Sequence, residues 1–248
     1  MQRFYVPPAI YREEKIIFSE EQFKHIKKVL RLMQGAEIEV TNGLGEAALC
    51  RLYFDKRNAF AHKIRPLAGS NEPALRVFLF QSLCKGEKMD YIVQKAVELG
   101  VYSIIPFISR RSVVRPAASG LSGRVARWRK IAVAALEQSG RSYLPEITEP
   151  VSFQEAIKRS GDGKEMGLSL IPWEEEKVLS LKAVLDEAKD PACVRLFIGP
   201  EGGFAPEEAA KAQRENVRPV TLGPRVLRTE TAAVAALSVI MYHYGCLE

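Results

Sequence analysis

The first 66 residues contain short stretches in which apolar and polar positions alternate, the pattern of strands with one buried face. The predicted strands are residues 3–6, 15–18, 36–41, 47–54 and 58–65. Asn42 and Gly43 lie between the third and fourth stretches and form a hairpin signal. These strands predict a small β-barrel.

One helix interrupts the strands. Ser19 can cap its first turn through its hydroxyl while Gln22 reaches back, the arrangement of a capping box. Phe23, Ile26 and Leu30 then recur at helical spacing. The pattern predicts a helix that packs one apolar face against the barrel.

The pattern changes at Leu75 to apolar strands that alternate with helices, which is typical of a largely parallel sheet covered on both faces. The predicted strands are 75–83, 101–108, 165–171, 194–198 and 217–222, and the predicted helices are 87–99, 122–138, 152–159, one after Trp173, 206–215 and one from Thr229. Pro66 to Pro73 has the composition of a linker. We therefore predict two domains, residues 1–70 and 74–248.

Composition is that of a soluble globular protein, with 47% hydrophobic and 27% charged residues. The four cysteines are far apart in the sequence and form no zinc or disulfide pattern. No signal peptide pattern opens the chain, and no apolar run reaches the roughly 18 residues that span a bilayer. We expect a cytoplasmic protein without a metal site.

The net charge of +6 is unevenly distributed, because the segment 99–136 contains no Asp or Glu. We call it the acid-free segment. Its basic residues are Arg110, Arg111, Arg115, Arg124, Arg127, Arg129 and Lys130. Such a surface is either a solvated face or a binding surface for a polyanion, and the sequence leaves both open.

Two predicted strands end in Gly-Pro loops, "LFIGPEGGFAPEE" at 196–208 and "LGPRVLRTETAA" at 222–233. Ligands of open α/β sheets bind beyond the carboxyl ends of strands, so two such loops predict one pocket, although tight structural turns remain the alternative. The loops lack the GxxxxGK[ST] pattern of a phosphate cradle and the GxGxxG pattern of a dinucleotide site. A ligand with an adenine and no phosphate fits them better.

These two loops resemble the SPOUT class of S-adenosylmethionine-dependent RNA methyltransferases. The chain as a whole resembles its RsmE family, which methylates N3 of a uridine in 16S rRNA. Further stretches share the resemblance: "RFYV" at 3–6, "HIKKVLRL" at 25–32, "KGEKMDYIVQKAVELGV" at 85–101 and "RWRKIAVAALEQSGRSYLPEI" at 127–147.

The resemblance implies a PUA-like β-barrel for RNA contact at the N-terminus and a SPOUT catalytic domain with a C-terminal trefoil knot. It also implies a homodimer and a donor bound by three loops. The residues expected to contact S-adenosylmethionine are Leu170, Ile171, Pro172, Ile198, Gly199, Pro200, Gly202, Gly203, Leu222, Gly223, Leu227 and Thr229.

Uridine N3 is mostly protonated at neutral pH, so the reaction requires proton removal and stabilisation of negative charge on the uracil. Arg225 and Arg228 are the candidates for charge stabilisation. Glu201 and Glu230 are the candidate proton acceptors, although Glu230 could equally lie in the first helical turn for its favourable interaction with the helix dipole. The arginines could instead position RNA phosphates, and Arg228 could pair with Glu230. We expect Thr229 to cap the final helix.

Phosphate contacts are expected in both domains. The candidates are Arg3, Lys27, Lys28 and Arg31 in the first domain, and Arg110, Arg111, Arg115, Arg124 and Arg127 in the second. The expected partner is 16S rRNA in its decoding region, on the assembled small subunit. The alternatives are a SPOUT methyltransferase of another RNA position and a ribosome assembly factor without catalysis.

Overall fold

A computed structural model of the chain describes residues 1–56, 58–68, 71–113, 118–161 and 167–247, with the backbone alone for 118–120. The chain divides into two compact units. The first contains Met1–Glu72 and Val133–Leu144, and the second contains Pro73–Ala132 and Pro145–Glu248. Residues 133–144, which the sequence pattern placed with the second domain, thus group with the first unit.

The first unit contains a five-stranded curled sheet in the order β1-β3-β4-β5-β2. Its elements are β1 (Arg3–Tyr5), α1 (Pro8–Arg12), β2 (Lys15–Ile17), α2 (Glu20–Lys24), β3 (Glu37–Thr41), β4 (Ala47–Phe54) and β5 (Ala59–Pro66). All five predicted strands are present within a residue or two. The β3–β4 hairpin also forms, with Asn42 Oδ1 accepting hydrogen bonds from the amides of Leu44 and Glu46.

The capping box at Ser19 is confirmed, because the Ser19 hydroxyl accepts from the Gln22 amide at 3.2 Å and Gln22 Oε1 accepts from the Ser19 amide at 3.1 Å. The helix is shorter than its apolar spacing predicted, since α2 passes into a π-helical turn at His25–Val29. Ile26 is fully buried and Phe23 packs against the same core. A second short helix, α1, was not predicted.

Glu72 is the main polar anchor inside the first unit. Its Oε2 accepts from Arg141 Nε and Nη2 at 2.9 and 2.7 Å, and its Oε1 accepts from the amides of Ser142 and Tyr143. Only 5% of the Arg141 side chain is exposed. A buried guanidinium and two amides therefore depend on one carboxylate.

Replacing Glu72 by alanine is expected to lower the free energy of unfolding by about 3–5 kcal/mol, because it removes one partner of a buried ion pair. Chemical denaturation of the whole protein measures this loss. Glu37→Ala is the control, since it removes an exposed ion pair with Arg51 that is worth about 1 kcal/mol or less. Equal losses in the two variants would contradict the anchoring role of Glu72.

The second unit is built on a seven-stranded parallel sheet in the order β12-β10-β11-β6-β7-β8, with β9 also paired to β7. The strands are β6 (Arg76–Ser82), β7 (Ser103–Ile108), β8 (Glu146–Ile147), β9 (Val151–Ser152), β10 (Leu168–Pro172), β11 (Cys193–Ile198) and β12 (Arg218–Val220). The helices are α3 (Lys88–Glu98), α4 (Ala118–Ser139), α5 (Phe153–Gly161), α6 (Leu181–Glu187), α7 (Pro206–Arg214) and α8 (Thr229–His243), and the part of α4 from Val133 onward belongs to the first unit.

The predicted alternation of strands and helices is confirmed, and Gly100 ends α3 with a φ of +90°. The two-residue strands β8 and β9 were missed, since each is too short to show periodicity. Helix α6 begins eight residues after Trp173. The C-terminal trefoil knot stays a prediction.

Parallel pairing directs β10, β11 and β12 the same way, so their carboxyl ends share one edge of the sheet. The two Gly-Pro loops follow β11 and β12 at that edge. Among the helices that the structure describes, none combines the length and apolarity that a membrane crossing requires.

Candidate functional site

One pocket lies where β10, β11 and β12 end. It holds about 780 Å³ of space with its open mouth included. Three loops line it: Pro172–Lys177 after β10, the glycine loop Gly199–Ala205 after β11, and the Arg225 loop Thr221–Arg228 after β12. The expectation that both Gly-Pro loops form one site agrees with this arrangement.

Glycines shape two of these loops. Gly203 has φ +66° and Gly223 has φ +111°, backbone conformations that side chains with a Cβ rarely adopt. A Cβ on Gly199 would lie 3.0 Å from the Phe204 ring, so this glycine allows close packing within its own loop. Two of the three loops thus depend on glycine for their conformation or their packing.

Thr229 joins the glycine loop to the final helix. Its hydroxyl donates to the Gly199 carbonyl at 2.6 Å and accepts from Gln81 Nε2 at 3.2 Å. The expectation that Thr229 caps α8 was wrong, because the N-cap is Arg228 in extended conformation and Thr229 is the first helical residue. Its hydroxyl is therefore directed to a neighbouring strand end instead of to its own helix.

Nine of the twelve predicted donor contacts line the pocket: Pro172, Ile198, Gly199, Pro200, Gly203, Leu222, Gly223, Leu227 and Thr229. Leu170 and Ile171 do not, because β10 lies between β11 and β12 and both side chains are fully buried in the sheet. Gly202 also lies outside the lining and instead faces Arg111, whose Cβ would be 3.3 Å from a Cβ at Gly202.

Several lining residues were not among the predicted donor contacts, although the resemblance placed Trp173 and Val226 within the donor loops. They are Trp173, Glu174, Lys177, Thr221, Val226 and Ala232. Trp173 is the most informative, because its buried indole N–H has no hydrogen-bond partner within the described part of the chain. Val226 is 80% exposed although apolar. The position of Trp173, directly after Pro172 at the end of a predicted strand, was the sequence feature that could have indicated it as a lining residue.

The four predicted catalytic residues divide into two groups. Arg225 and Glu201 line the pocket, whereas Arg228 and Glu230 lie beside it at the start of α8. Lys88 Nζ lies 3.0 Å from Glu201 Oε1 and 3.8 Å from Glu230 Oε2, so one lysine links both carboxylates.

The two carboxylates differ in their surroundings. Burial alone would raise the pKa of Glu201, but hydrogen bonds from its own amide, Lys88 and the Lys85 amide outweigh it and hold this pKa below its ordinary value. Glu230 Oε2 is buried and accepts no hydrogen bond from any described residue. Glu230 thus has a carboxylate oxygen without a hydrogen bond, whereas Glu201 already accepts several hydrogen bonds.

Two other chemistries find little support here. Burial raises the pKa of the Cys84 thiol, which lies 3.7 Å from the Thr229 hydroxyl, to about 12, so this cysteine is protonated at neutral pH and a poor nucleophile. Within the described residues, no three His, Cys, Asp or Glu side chains are grouped as a metal site would need.

The predicted RNA contacts have different environments. Lys27, Lys28 and Arg31 are exposed in the first unit. Arg3 is less available for RNA contact than these residues. Its guanidinium donates to Glu39 and to the Arg141 carbonyl, and its side chain is only 11% exposed. Arg115 lies outside the described residues.

The other predicted contacts, Arg110, Arg111, Arg124 and Arg127, are exposed in the second unit. Two of them have acidic partners from outside the acid-free segment, since Arg110 pairs with Glu207 and Arg127 with Asp90. The absence of acids in the segment itself therefore overstated its free positive charge.

Two family models match the chain. The RNA methyltransferase domain matches residues 71–241, and the RNA methyltransferase PUA domain matches residues 18–61. Together with the fold and the pocket, they define an RNA methyltransferase with an N-terminal PUA domain.

Full-length relatives narrow this class. The chain is 31% identical to the ribosomal RNA small subunit methyltransferase E of Bacillus subtilis, over 98% of this chain and 96% of the relative. A crystal structure of the Neisseria gonorrhoeae ribosomal RNA small subunit methyltransferase E bound to S-adenosyl methionine is 32% identical and superposes with a TM-score of 0.86, covering 98% and 97% of the two chains. A Legionella pneumophila structure in complex with the bound cofactor SAM gives the same identity, score and coverage. The chain belongs to the ribosomal RNA small subunit methyltransferase E family, and it is an rRNA methyltransferase.

Proposed function

We propose that this enzyme transfers a methyl group from S-adenosylmethionine to N3 of a uridine in the decoding region of 16S rRNA, forming 3-methyluridine. The observation that carries the proposal is the pocket formed by three loops at the ends of β10, β11 and β12, together with full-length similarity to a relative bound to S-adenosyl methionine. The uridine atom and the rRNA region rest on the family resemblance.

The pocket residues fit this donor. The nucleoside part needs close backbone approach, which the open space beside Gly223 allows, and hydrogen-bond acceptors on it would satisfy the unpartnered Trp173 indole N–H. Glu174 and Glu201 also line the pocket and complement a positive charge. When bound, the donor supplies an electrophilic methyl group on a sulfonium.

The arginines of the Arg225 loop supply the charge stabilisation. Arg225 and Arg228 are both exposed at the pocket side of the sheet, so their guanidinium donors are available to the uracil oxygens on which negative charge develops. Arg228 has the larger role in this proposal, because it lies outside the donor pocket lining and is free to face the second substrate.

Glu230 is the better of the two candidate proton acceptors. The lowered pKa of Glu201 makes it a weak base, and its hydrogen bonds to Lys88 and Lys85 suit it to fixing the glycine loop. Glu230 Oε2 accepts no hydrogen bond from any described residue and is therefore available to accept a proton, with Lys88 Nζ 3.8 Å away.

The RNA is held by exposed cations in both units, Lys27, Lys28 and Arg31 in the first and Arg110, Arg111, Arg124 and Arg127 in the second. Phosphate contacts of this kind position the substrate without reading its sequence. The target base must leave its stack to reach the pocket. We assign the activity to a cytoplasmic homodimer without a metal that acts on the assembled small subunit.

The rival reaction is methylation at another RNA position, such as a ribose 2′-hydroxyl. The rRNA of cells with and without the gene, digested to nucleosides and analysed by mass spectrometry, distinguishes the two. We expect 3-methyluridine to disappear from 16S rRNA in the deletion and to return when the wild-type gene is restored. Persistence of 3-methyluridine together with loss of another methylated nucleoside would reject the assigned product.

A further inference from the structure

We propose that Arg111 is a positioning residue that couples RNA binding to donor binding, because one guanidinium contacts the glycine loop and can hold an RNA phosphate at the same time. The inference rests on the proposed function and adds a regulatory link within that site.

Three buried serines build the turn that carries Arg111. We call residues Ser109–Ser112, which contain Arg110 and Arg111, the arginine turn. Ser82 lies at the end of the neighbouring strand β6. The Ser112 hydroxyl is 2.9 Å from the Ser82 hydroxyl and 3.1 Å from the Ser109 hydroxyl, and it also accepts from the Ser109 amide at 3.0 Å. All three residues are at most 6% exposed. The turn is therefore anchored to the sheet while its two arginines face solvent.

Arg111 bonds directly to the glycine loop. Its Nη1 donates to the carbonyls of Gly202 and Phe204 at 3.2 and 3.3 Å. Gly202 permits this approach, since an added Cβ would lie 3.3 Å from Arg111 Cβ and 3.4 Å from its carbonyl oxygen. This contact gives Gly202 a role although it does not line the pocket.

Glu208 forms a second link between the same two segments. Glu208 as a residue is 8% exposed, and its carboxylate accepts from the Arg110 amide through Oε1 at 2.8 Å and from the Ala205 amide through Oε2 at 3.0 Å. One carboxylate thus holds a backbone amide of the arginine turn and one of the glycine loop. The two segments are joined by a backbone clamp, and Arg111 adds a side-chain contact that a ligand can strengthen.

A phosphate can bind Arg111 without breaking these contacts. A guanidinium has five N–H donors, and Nη1 is the one nitrogen of Arg111 that bonds a described residue. The remaining donors, on Nε and Nη2, form the edge that suits a phosphate. A phosphate there immobilises the guanidinium against Gly202 and Phe204, so the loop that contacts the donor loses less freedom when the donor binds. Linkage makes the effect reciprocal.

Equilibrium dialysis of the whole protein with labelled S-adenosylhomocysteine, with and without saturating small ribosomal subunits from a deletion strain, measures the coupling. For the wild type we expect the subunits to lower the Kd of S-adenosylhomocysteine about tenfold, within the usual range of allosteric coupling. In Arg111→Lys, which keeps the positive charge and loses the planar fork, we expect a change of less than about twofold.

Arg124→Ala is the matched control. Arg124 is another exposed arginine of the acid-free segment, and none of its contacts in the described structure joins the glycine loop. We expect this variant to need a higher subunit concentration for saturation and then to show the full tenfold effect. Thermal unfolding should give similar midpoints for all three proteins.

Two results would overturn the inference: full coupling in Arg111→Lys, or none in the wild type although it binds both ligands. Failure of the wild type to bind S-adenosylhomocysteine at all would be a different result, because it removes the proposed donor site and the coupling with it.

Discussion

Replacing Arg228 by alanine is expected to lower the rate constant of methylation by about 10²–10³-fold, the usual effect of removing one donor to developing charge, while S-adenosylhomocysteine binds within about twofold of wild type. Arg228 is exposed, lies outside the pocket lining, and makes no side-chain cap of α8. Its loss should therefore cost little stability or donor affinity. Single-turnover methylation of small subunits and calorimetric titration of S-adenosylhomocysteine measure the two quantities.

Arg225→Ala is the comparison, because Arg225 belongs to the same loop and does line the pocket. We expect it to weaken donor binding as well as the rate. Arg228→Lys should recover only part of the activity, since an ammonium lacks the planar pair of donors. If Arg228→Ala lost donor affinity and rate in equal proportion, Arg228 would be a donor contact.

Gly223→Val is expected to weaken S-adenosylhomocysteine binding by about 30-fold or more, since a left-handed backbone costs a β-branched residue on the order of 2–3 kcal/mol. Gly223 has φ +111°, and among the described residues beyond its two chain neighbours no atom lies within 4 Å of a Cβ placed there. The penalty is therefore backbone strain, which the Arg225 loop can relieve by leaving the conformation that forms the pocket. Calorimetry with S-adenosylhomocysteine measures the loss.

Gly45→Val is the matched control for strain. Gly45 has φ +98° and equally open surroundings, and it lies in the hairpin of the first unit. We expect a similar loss of stability in Gly45→Val and unchanged donor affinity. Wild-type affinity in Gly223→Val would mean that the Arg225 loop does not need its left-handed glycine to hold the donor.

Much of the local structure could be read from short-range patterns. The Ser19 capping box, the hairpin at Asn42 and Gly43, and the strand Ala47–Phe54 all depend on residues close together in the sequence. The two Gly-Pro loops were recognisable for the same reason, because backbone conformation is set largely by the local residues. The π-helical turn at His25–Val29 and the short β8 and β9 leave no such pattern.

The candidate site was predicted as a set of loops more accurately than as a set of side chains. Gly203 lines the pocket and its neighbour Gly202 faces Arg111, which lies 91 positions earlier in the chain. The family resemblance assigned Leu170 and Ile171 to the donor site, yet both are buried because β10 has a strand on each side. Similarly, the charge of Arg3 gave no sign of its pairing with Glu39.

The sequence by itself determined the alternation of elements, the position of the two glycine-rich strand exits and the family. Each depends on periodicity or on contiguous motifs. Only the tertiary structure decided which loop residues face the pocket, that Lys88 joins Glu201 to Glu230, and that the arginine turn is bonded to the glycine loop. The reason is physical: parallel strands distant in the chain bring their ends together, and the direction of each side chain there is set by neighbours that the linear order does not reveal.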